Sequence, residues 1–223
     1  MNTLDTLNTL LRERYSCRAF RPDPVPREVI RQIVGAARQV PSWCNAQPWQ
    51  VTVTEGAATD RFRTALSREV ATGQPAPDLD PPEGYPDVYG ARRRTCGWQL
   101  YDAVGVQKGD RAGSAQQMMR NYALFDAPHV AIITSPRVLG PYGAMDTGGF
   151  VTAFTLAGRA CGVDTIAQAA IAFYAGFVRS HFEIADDRLV LCAISFGYAD
   201  RDHPANSFRT ERAGVDEIVE WKA

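Results

Sequence analysis

Arg14 and Arg18 stand on either side of Ser16, and in an extended segment side chains alternate between faces, so these three point the same way. Two guanidinium forks flanking a hydroxyl suit a phosphate, because arginine gives planar, bidentate, charge-assisted hydrogen bonds and serine adds a neutral donor. A solvated arginine face is the competing explanation, since charge runs usually lie on surfaces. Near the other end of the chain Arg209 and Arg212 return two more cations that could join Arg14 around one anion. A different chemistry is offered by the nine residues PSWCNAQPW at 41–49, which combine aromatic faces and amide donors in one loop. Within it Trp49 reads as a plug for the core, whereas Ser42 and Asn45 are hard to explain as packing.

What is missing narrows the chemistry further. The sequence has no glycine-rich dinucleotide fingerprint, no phosphate-binding P-loop, no serine nucleophile elbow and no paired-histidine zinc motif. His129, His181 and His203 are scattered singly and read as structural or solvent-facing, so neither a hydrolase triad nor a metal site is expected. Five cysteines, at 17, 44, 96, 161 and 192, form no C-x-x-C pair and are odd in number, which argues against a disulfide framework and suits a reducing cytoplasm. Cys44 could be imagined as a nucleophile, but a small buried thiol is the commoner role. With 24 Lys and Arg against 25 Asp and Glu, a net charge of -1, there is no basic field to draw the protein to nucleic acid. The N-terminal stretch, with Asp5 early and no long apolar core, does not read as a secretory signal, and no apolar run is long enough to span a bilayer.

The elements that must hold these residues follow from periodicity and breaks. At 223 residues a single domain is the default, able to bury roughly 70% of its unfolded surface. Leu4, Leu7, Leu10 and Leu11 predict a first helix that delivers the arginine cluster, with Asp5 and Arg12 complementing its dipole. Pro22, Pro24 and Pro26 enforce an extended path, and Pro26 opens a helix carrying Val29, Ile30, Ile33, Val34 and Ala37 on one face and stopping at Pro41. Strands are predicted at 50–54, 130–134 and 189–194, and helices around Phe62, Leu66 and Val70, at 93–106, 115–124 and 178–184. Residues 73–90, rich in Pro, Gly, Asp and Tyr, read as a lid or excursion loop. Residues 145–161 predict a helix apolar nearly all round, buried in the core or partly against a second subunit. The tail at 215–221 predicts a short strand or helix.

Four segments taken in order resemble the FMN-dependent nitroreductase family: RYSCR at 14–18, PSWCNAQPW at 41–49, GVDTIAQAA at 162–170, and FGYAD at 196–200 with NSFRTER at 206–212. The resemblance covers nearly the whole chain. It implies an α+β sandwich over residues 1–223, with a central mostly antiparallel sheet among helices, in an intertwined cytoplasmic homodimer whose C-terminal segment completes the partner's sheet. It implies FMN as cofactor, with NADH or NADPH as transient hydride donor and a nitroaromatic, quinone or similar flat compound as acceptor. Another flavoenzyme task on the same fold, such as a dehydrogenase or dehalogenase, and a non-catalytic flavin-binding protein are the alternatives. Carried over by position, Arg14, Tyr15, Ser16, Arg209 and Arg212 would hold the phosphate and tail of the cofactor, and Arg18 would sit near the pyrimidine edge of its ring. Pro41, Ser42, Trp43 and Asn45 would line the ring from the other subunit. Asn121 would hydrogen-bond it, and the segment around Ala167, Gln168 and Ala169 would approach its reactive nitrogen. No residue is expected to act as a catalytic acid or base. The chain departs from the family at Trp43 and Cys44, where small residues are usual, so the acceptor pocket is expected to be reshaped there.

Overall fold

The computed structural model describes residues 2–222. In chain order its helices are α1 (Thr3–Glu13), α2 (Arg27–Ala37), α3 (Ala57–Thr72), α4 (Asp87–Ala103), α5 (Arg111–Met119), α6 (Gly140–Ala160), α7 (Ala175–Phe182) and the short α8 (Val215–Ile218). Its strands are β1 (Gln50–Val53), β2 (His129–Pro136), β3 (Asp164–Gln168) and β4 (Arg188–Gly197). They form one sheet in the order β1-β2-β4-β3, antiparallel throughout.

Alternation along the central strands divides the core into two layers. Val130 and Ile132 of β2 face Phe62, Leu66 and Val178 on α3 and α7, while Ala131 and Ile133 face Ile30, Ile33, Phe150 and Phe154 on α2 and α6. A β-bulge between Ile133 and Thr134 shifts the β2–β4 register from Cys192 to Val190, which is why Val190 and Ala193 share one layer across an odd spacing. Trp49 stacks on Phe150, ring centroids 5.4 Å apart, and so plugs the α6 layer as its apolar bulk requires.

The histidines serve the same scaffold. His129 is buried between strands, where its Nε2 accepts Val25 N–H at 2.9 Å and its Nδ1 lies 3.0 Å from the Thr54 carbonyl. His181 packs among Phe62, Phe177 and Phe182, and burial with Arg61 nearby lowers its pKa. His203 accepts Ala205 N–H.

Several expectations change. The long helix α6 begins at Gly140, five residues early, because Pro141 in its first turn lacks only an N–H that would be unpaired there anyway. Nor is it buried all round: Phe150 and Phe154 are, but Met145 is 65% exposed. The leucine face of α1 likewise lies open, with none of its residues buried. Residues 87–90 are helical, so the excursion loop is 73–86, and it is pinned near its start where Ala76 N–H donates to the Phe173 carbonyl at 2.7 Å. The remaining helices start and stop a few residues from their predicted bounds, as caps without side-chain signals allow. Strand β3 was not foreseen. Among the described residues no helix is long and apolar enough to cross a membrane.

Candidate functional site

At the β3 end of the sheet the chain folds around a cavity of about 820 Å³. Its walls come from the end of α1 (Leu11, Arg12), the extended residues Arg14, Tyr15, Ser16 and Arg18, and one face of α6 (Val151, Thr152, Thr155). Ala167 of β3, Cys96 of α4 and the tail residues Phe208, Arg209, Thr210 and Arg212 complete it. Five arginines and no carboxylate line this space.

Local structure explains how they meet. α1 ends at Glu13, and Arg14 turns into extended backbone at φ -66° and ψ 128°. Ser16 bridges Thr165 of β3 in parallel, and Cys17 N–H donates to the Thr165 carbonyl at 3.1 Å. Cys17 itself is buried, its thiol donating to the Ala19 carbonyl, and burial pushes its pKa up to about 12, so it anchors the segment instead of reacting.

The tail is attached by Asn206. Its Oδ1 accepts Arg18 N–H at 2.8 Å, while its Nδ2 donates to the carbonyls of Ala19 and Asp200 at 2.9 and 2.7 Å. One buried amide therefore welds residues 16–20 to the segment bearing Arg209 and Arg212. Sequence reasoning gave Asn206 no role, although it opens the NSFRTER motif; its signal was a lone amide ahead of two arginines. Arg12, Cys96 and Phe208 were also missed as wall residues.

None of the five cavity arginines makes an ion pair among the described residues; their contacts are with carbonyls, a hydroxyl and rings. Arg18 donates to the Ser16 carbonyl at 3.0 Å and lies 5.5 Å from the Phe208 ring. Arg209 stacks on Tyr15 at 3.7 Å and donates to the carbonyls of Asn206 and Phe208. Arg212 donates to the carbonyl and hydroxyl of Thr210. Burial lowers the pKa of Arg18, and burial with the charge of Arg212 lowers that of Arg14. Burial raises that of Tyr15. Arg14 and Arg212 thus repel one another, and Arg18, Arg209 and Arg212 are held in place by neutral partners, an arrangement that an entering anion stabilises. A cavity of this size with a charged rim and an apolar wall fits a planar, phosphate-bearing cofactor such as FMN.

The remaining expected site residues lie elsewhere in the chain. Pro41, Ser42, Trp43 and Asn45 do not line the cavity. Their loop contains a 3-10 turn at Trp43–Asn45, with positive φ at Cys44 (51°), Asn45 (56°) and Gln47 (48°), each a cost of about 1 kcal/mol or more for a residue with a side chain. Three contacts fix it. Ser42 Oγ accepts Gln47 N–H at 2.9 Å, Asp146 Oδ2 accepts Trp43 N–H at 3.0 Å, and Arg188 donates to the Pro48 carbonyl at 2.9 Å. Trp43 projects outward, 58% exposed, edge-on to Tyr142.

Gln168 turns into the core instead of the cavity. Its Oε1 accepts the Ser195 hydroxyl and its Nε2 donates to the Asn121 carbonyl at 2.8 Å, because a buried amide must be paired at both ends. Asn121 therefore touches Gln168 and not the cavity, and Ala169 opens the 3-10 turn Ala169–Tyr174. Of the third segment, Ala167 alone reaches the wall.

Comparison with known proteins places the chain in a family and a fold. Residues 11–198 match the Nitroreductase family. The nitroreductase NfnB of Mycolicibacterium smegmatis is 36% identical over 213 residues, covering 95% of this chain and 91% of that protein. The 4-nitrobenzoate reductase of Pseudomonas putida is 31% identical over 212 residues, covering 93% and 92%. The crystal structure of the FMN-dependent NfnB from Mycobacterium smegmatis in complex with NADPH superposes with a TM-score of 0.94 at 34% identity, over 100% of both chains.

Proposed function

The chain belongs to the nitroreductase family, and on that premise we propose that it is an FMN-dependent oxidoreductase using NADH or NADPH to reduce a nitroaromatic, quinone or similar flat acceptor. The observation that carries the reading is the cavity itself, which gathers Arg12, Arg14, Arg18, Arg209 and Arg212 without a single carboxylate.

FMN, when bound, supplies the two-electron chemistry, accepting a hydride from the nicotinamide and passing electrons on. The protein's part is binding and electrostatics. Arg14, Ser16, Arg209 and Arg212 would hold the phosphate and tail, with Tyr15 buttressing Arg209 by its ring face. Arg18, half-buried and without a counter-ion, would set a fixed positive charge against the ring. The apolar side of α6, through Val151 and the methyl groups of Thr152 and Thr155, would exclude water from one flank. No side chain is asked to move a proton, which accords with histidines spent on the scaffold.

The site is completed in this reading by a second copy, whose Pro41, Ser42, Trp43 and Asn45 would cover the ring from a strained, well-braced loop. Complementarity within one chain supports such a homodimer. Beside the open edge of β1 runs a groove lined by Arg31 and Arg38, by Arg27 in an ion pair with Glu55, and by Ile30, Val34, Val51 and Val53, so that its net charge is positive. The tail presents exposed Val215, Ile218 and Trp221 interleaved with Asp216, Glu217 and Glu220, the matching alternation of apolar and acidic residues. Because Ala76 N–H bonds the Phe173 carbonyl and the Asp78 carboxylate accepts Val190 N–H at 2.8 Å, the start of the excursion loop is pinned and any lid motion is confined to the residues that follow.

The test is an absorbance spectrum of the purified protein before and after anaerobic addition of NADH or NADPH. Flavin bands near equimolar with protein that bleach on addition are expected. A protein that stays colourless after incubation with FMN overturns the reading.

A further inference from the structure

Glu13 lies between Arg12 and Arg14 in sequence, yet both arginines line the cavity and the carboxylate does not. The cause sits on the last turn of α6. Arg159, its side chain 20% exposed, donates from Nε to Glu13 Oε2 at 3.1 Å and from Nη1 to Asp164 Oδ1 at 3.4 Å. Asp164 is 4% exposed at its side chain and also accepts Ala199 N–H at 3.2 Å. A single guanidinium thus engages both acids flanking the phosphate-facing segment: one directly before Arg14, the other beside Thr165, to which Ser16 and Cys17 are bound.

We propose that Arg159 is a positioning residue for anion binding: by clamping Glu13 on the α6 side and neutralising Asp164, it keeps carboxylate charge out of a cavity that must receive a phosphate. This rests on the FMN reading for the identity of the natural ligand. The physical argument does not need the ring.

A carboxylate tethered one residue from Arg14 is present at an effective concentration far above that of any free anion. Released, it would pair with the cavity guanidiniums or, at a distance within about one Debye length of 8–10 Å, repel the incoming phosphate. The Glu13 side chain is 51% exposed, and among the described residues Arg159 is its one ion-pair partner. The neighbouring acid of the tail, Glu211, is exposed, lines the groove against α4 and is screened by solvent. Arg159 does not line the cavity, which separates its role from that of the five arginines.

The experiment titrates flavin-free protein with FMN, following the quenching of flavin fluorescence, for the wild type, Arg159→Met, Arg159→Lys, Glu13→Gln and the Glu13→Gln/Arg159→Met pair. Arg159→Met is expected to weaken FMN binding about tenfold, the size of one charge-assisted contact. Arg159→Lys and Glu13→Gln should bind as the wild type does. The double variant should recover to within about threefold of wild type, the residue being Asp164 left unpaired. Recovery is the decisive readout, because Glu13→Gln cannot repair the buried Asp164 and would not mend a merely structural defect. Arg159→Met binding as tightly as wild type, or weakened and not rescued by Glu13→Gln, overturns the proposal. Should the wild type itself bind no FMN, the flavin reading fails, and the same variants titrated calorimetrically with inorganic pyrophosphate decide the clamp alone: a loss rescued by Glu13→Gln supports it, and no loss ends it.

Discussion

Two groups of arginines in this chain are built in opposite ways. At the start of the excursion loop, Asp78 is buried with its side chain 6% exposed; it accepts from Arg137 at 3.0 Å, from Arg179, and from Val190 N–H at 2.8 Å. At the far end of the sheet five arginines face one another across a cavity with no acid among them. The first group is complete within the chain and ties the loop, the turn after β2, β4 and α7 together. The second has its charge unanswered, and Arg18, Arg209 and Arg212 are oriented by carbonyls, a hydroxyl and rings. Arginine content alone says nothing of function; whether the counter-charge is supplied internally does.

The largest effect should come from breaking the complete group. Asp78→Ala leaves two guanidiniums and a buried N–H without their acceptor, and about 3 kcal/mol of stability should be lost. For a chain of this size that is a fall of about 6 to 12 °C in the melting temperature. Burial would raise the Asp78 pKa, but the bonds from Val190, Arg179 and Arg137 outweigh it and hold the carboxyl below its usual value. A depressed folded-state pKa contributes stability that is fully present above the unfolded value of about 3.9 and is lost as pH falls through the folded value. Asp78→Asn should therefore flatten the acid limb of a stability–pH profile measured by urea denaturation. An unaltered acid limb would show that Asp78 is not the group that titrates.

In the incomplete group the expected losses are in ligand affinity, with little change in stability. Arg14→Met should weaken FMN binding about ten- to hundredfold while the melting temperature of flavin-free protein stays level or rises, since one of the mutually repelling charges is gone. A melting temperature that drops as it does for Asp78→Ala would erase the distinction between the two groups. Arg18→Ala is the next step down. Where the flavin still binds, losing this fixed charge should lower its midpoint potential by about 30 to 60 mV, measured against a reference dye. An unchanged potential would mean that Arg18 serves binding alone.

How much of this was legible in the sequence follows from the range of the interactions. The core face of α2, the central strands and the phosphate-facing alternation of Arg14, Ser16 and Arg18 rest on local periodicity, and they were readable. Strand β3 was not, because four of its five residues are buried yet three of those are polar: Asp164 and Gln168 are satisfied by Arg159, Ala199, Ser195 and Asn121, none of them a near neighbour except Arg159. The Asp78 group spans 59 and 101 residues to Arg137 and Arg179, so its segment looked like a free loop rich in proline and glycine. The apolar circumference of α6 was readable, but a single chain covers only part of it. Asn206 shows the same limit at the site: a lone amide ahead of two arginines does not tell which distant segment it joins.

The smallest and most local test uses the cysteines to ask which of the two expected halves of the ring site is present in one chain. Cys17 is buried with its pKa pushed up to about 12, so it should not react with a neutral-pH alkylating reagent until the protein unfolds. Cys44 is exposed and Cys96 partly so, and both should label. Cys96 lines the arginine cavity, whereas Cys44 lies in the outward loop with Trp43. Saturating FMN should slow labelling at Cys96 several-fold, read by peptide mass spectrometry, because the ligand occupies the same space. Slowing at Cys44 as well is the outcome expected if a second copy's loop closes over the bound ring, since residues 41–49 do not line the cavity of their own chain. Protection of Cys96 alone would confine the flavin contacts to a single chain, and protection of neither would remove FMN from this cavity.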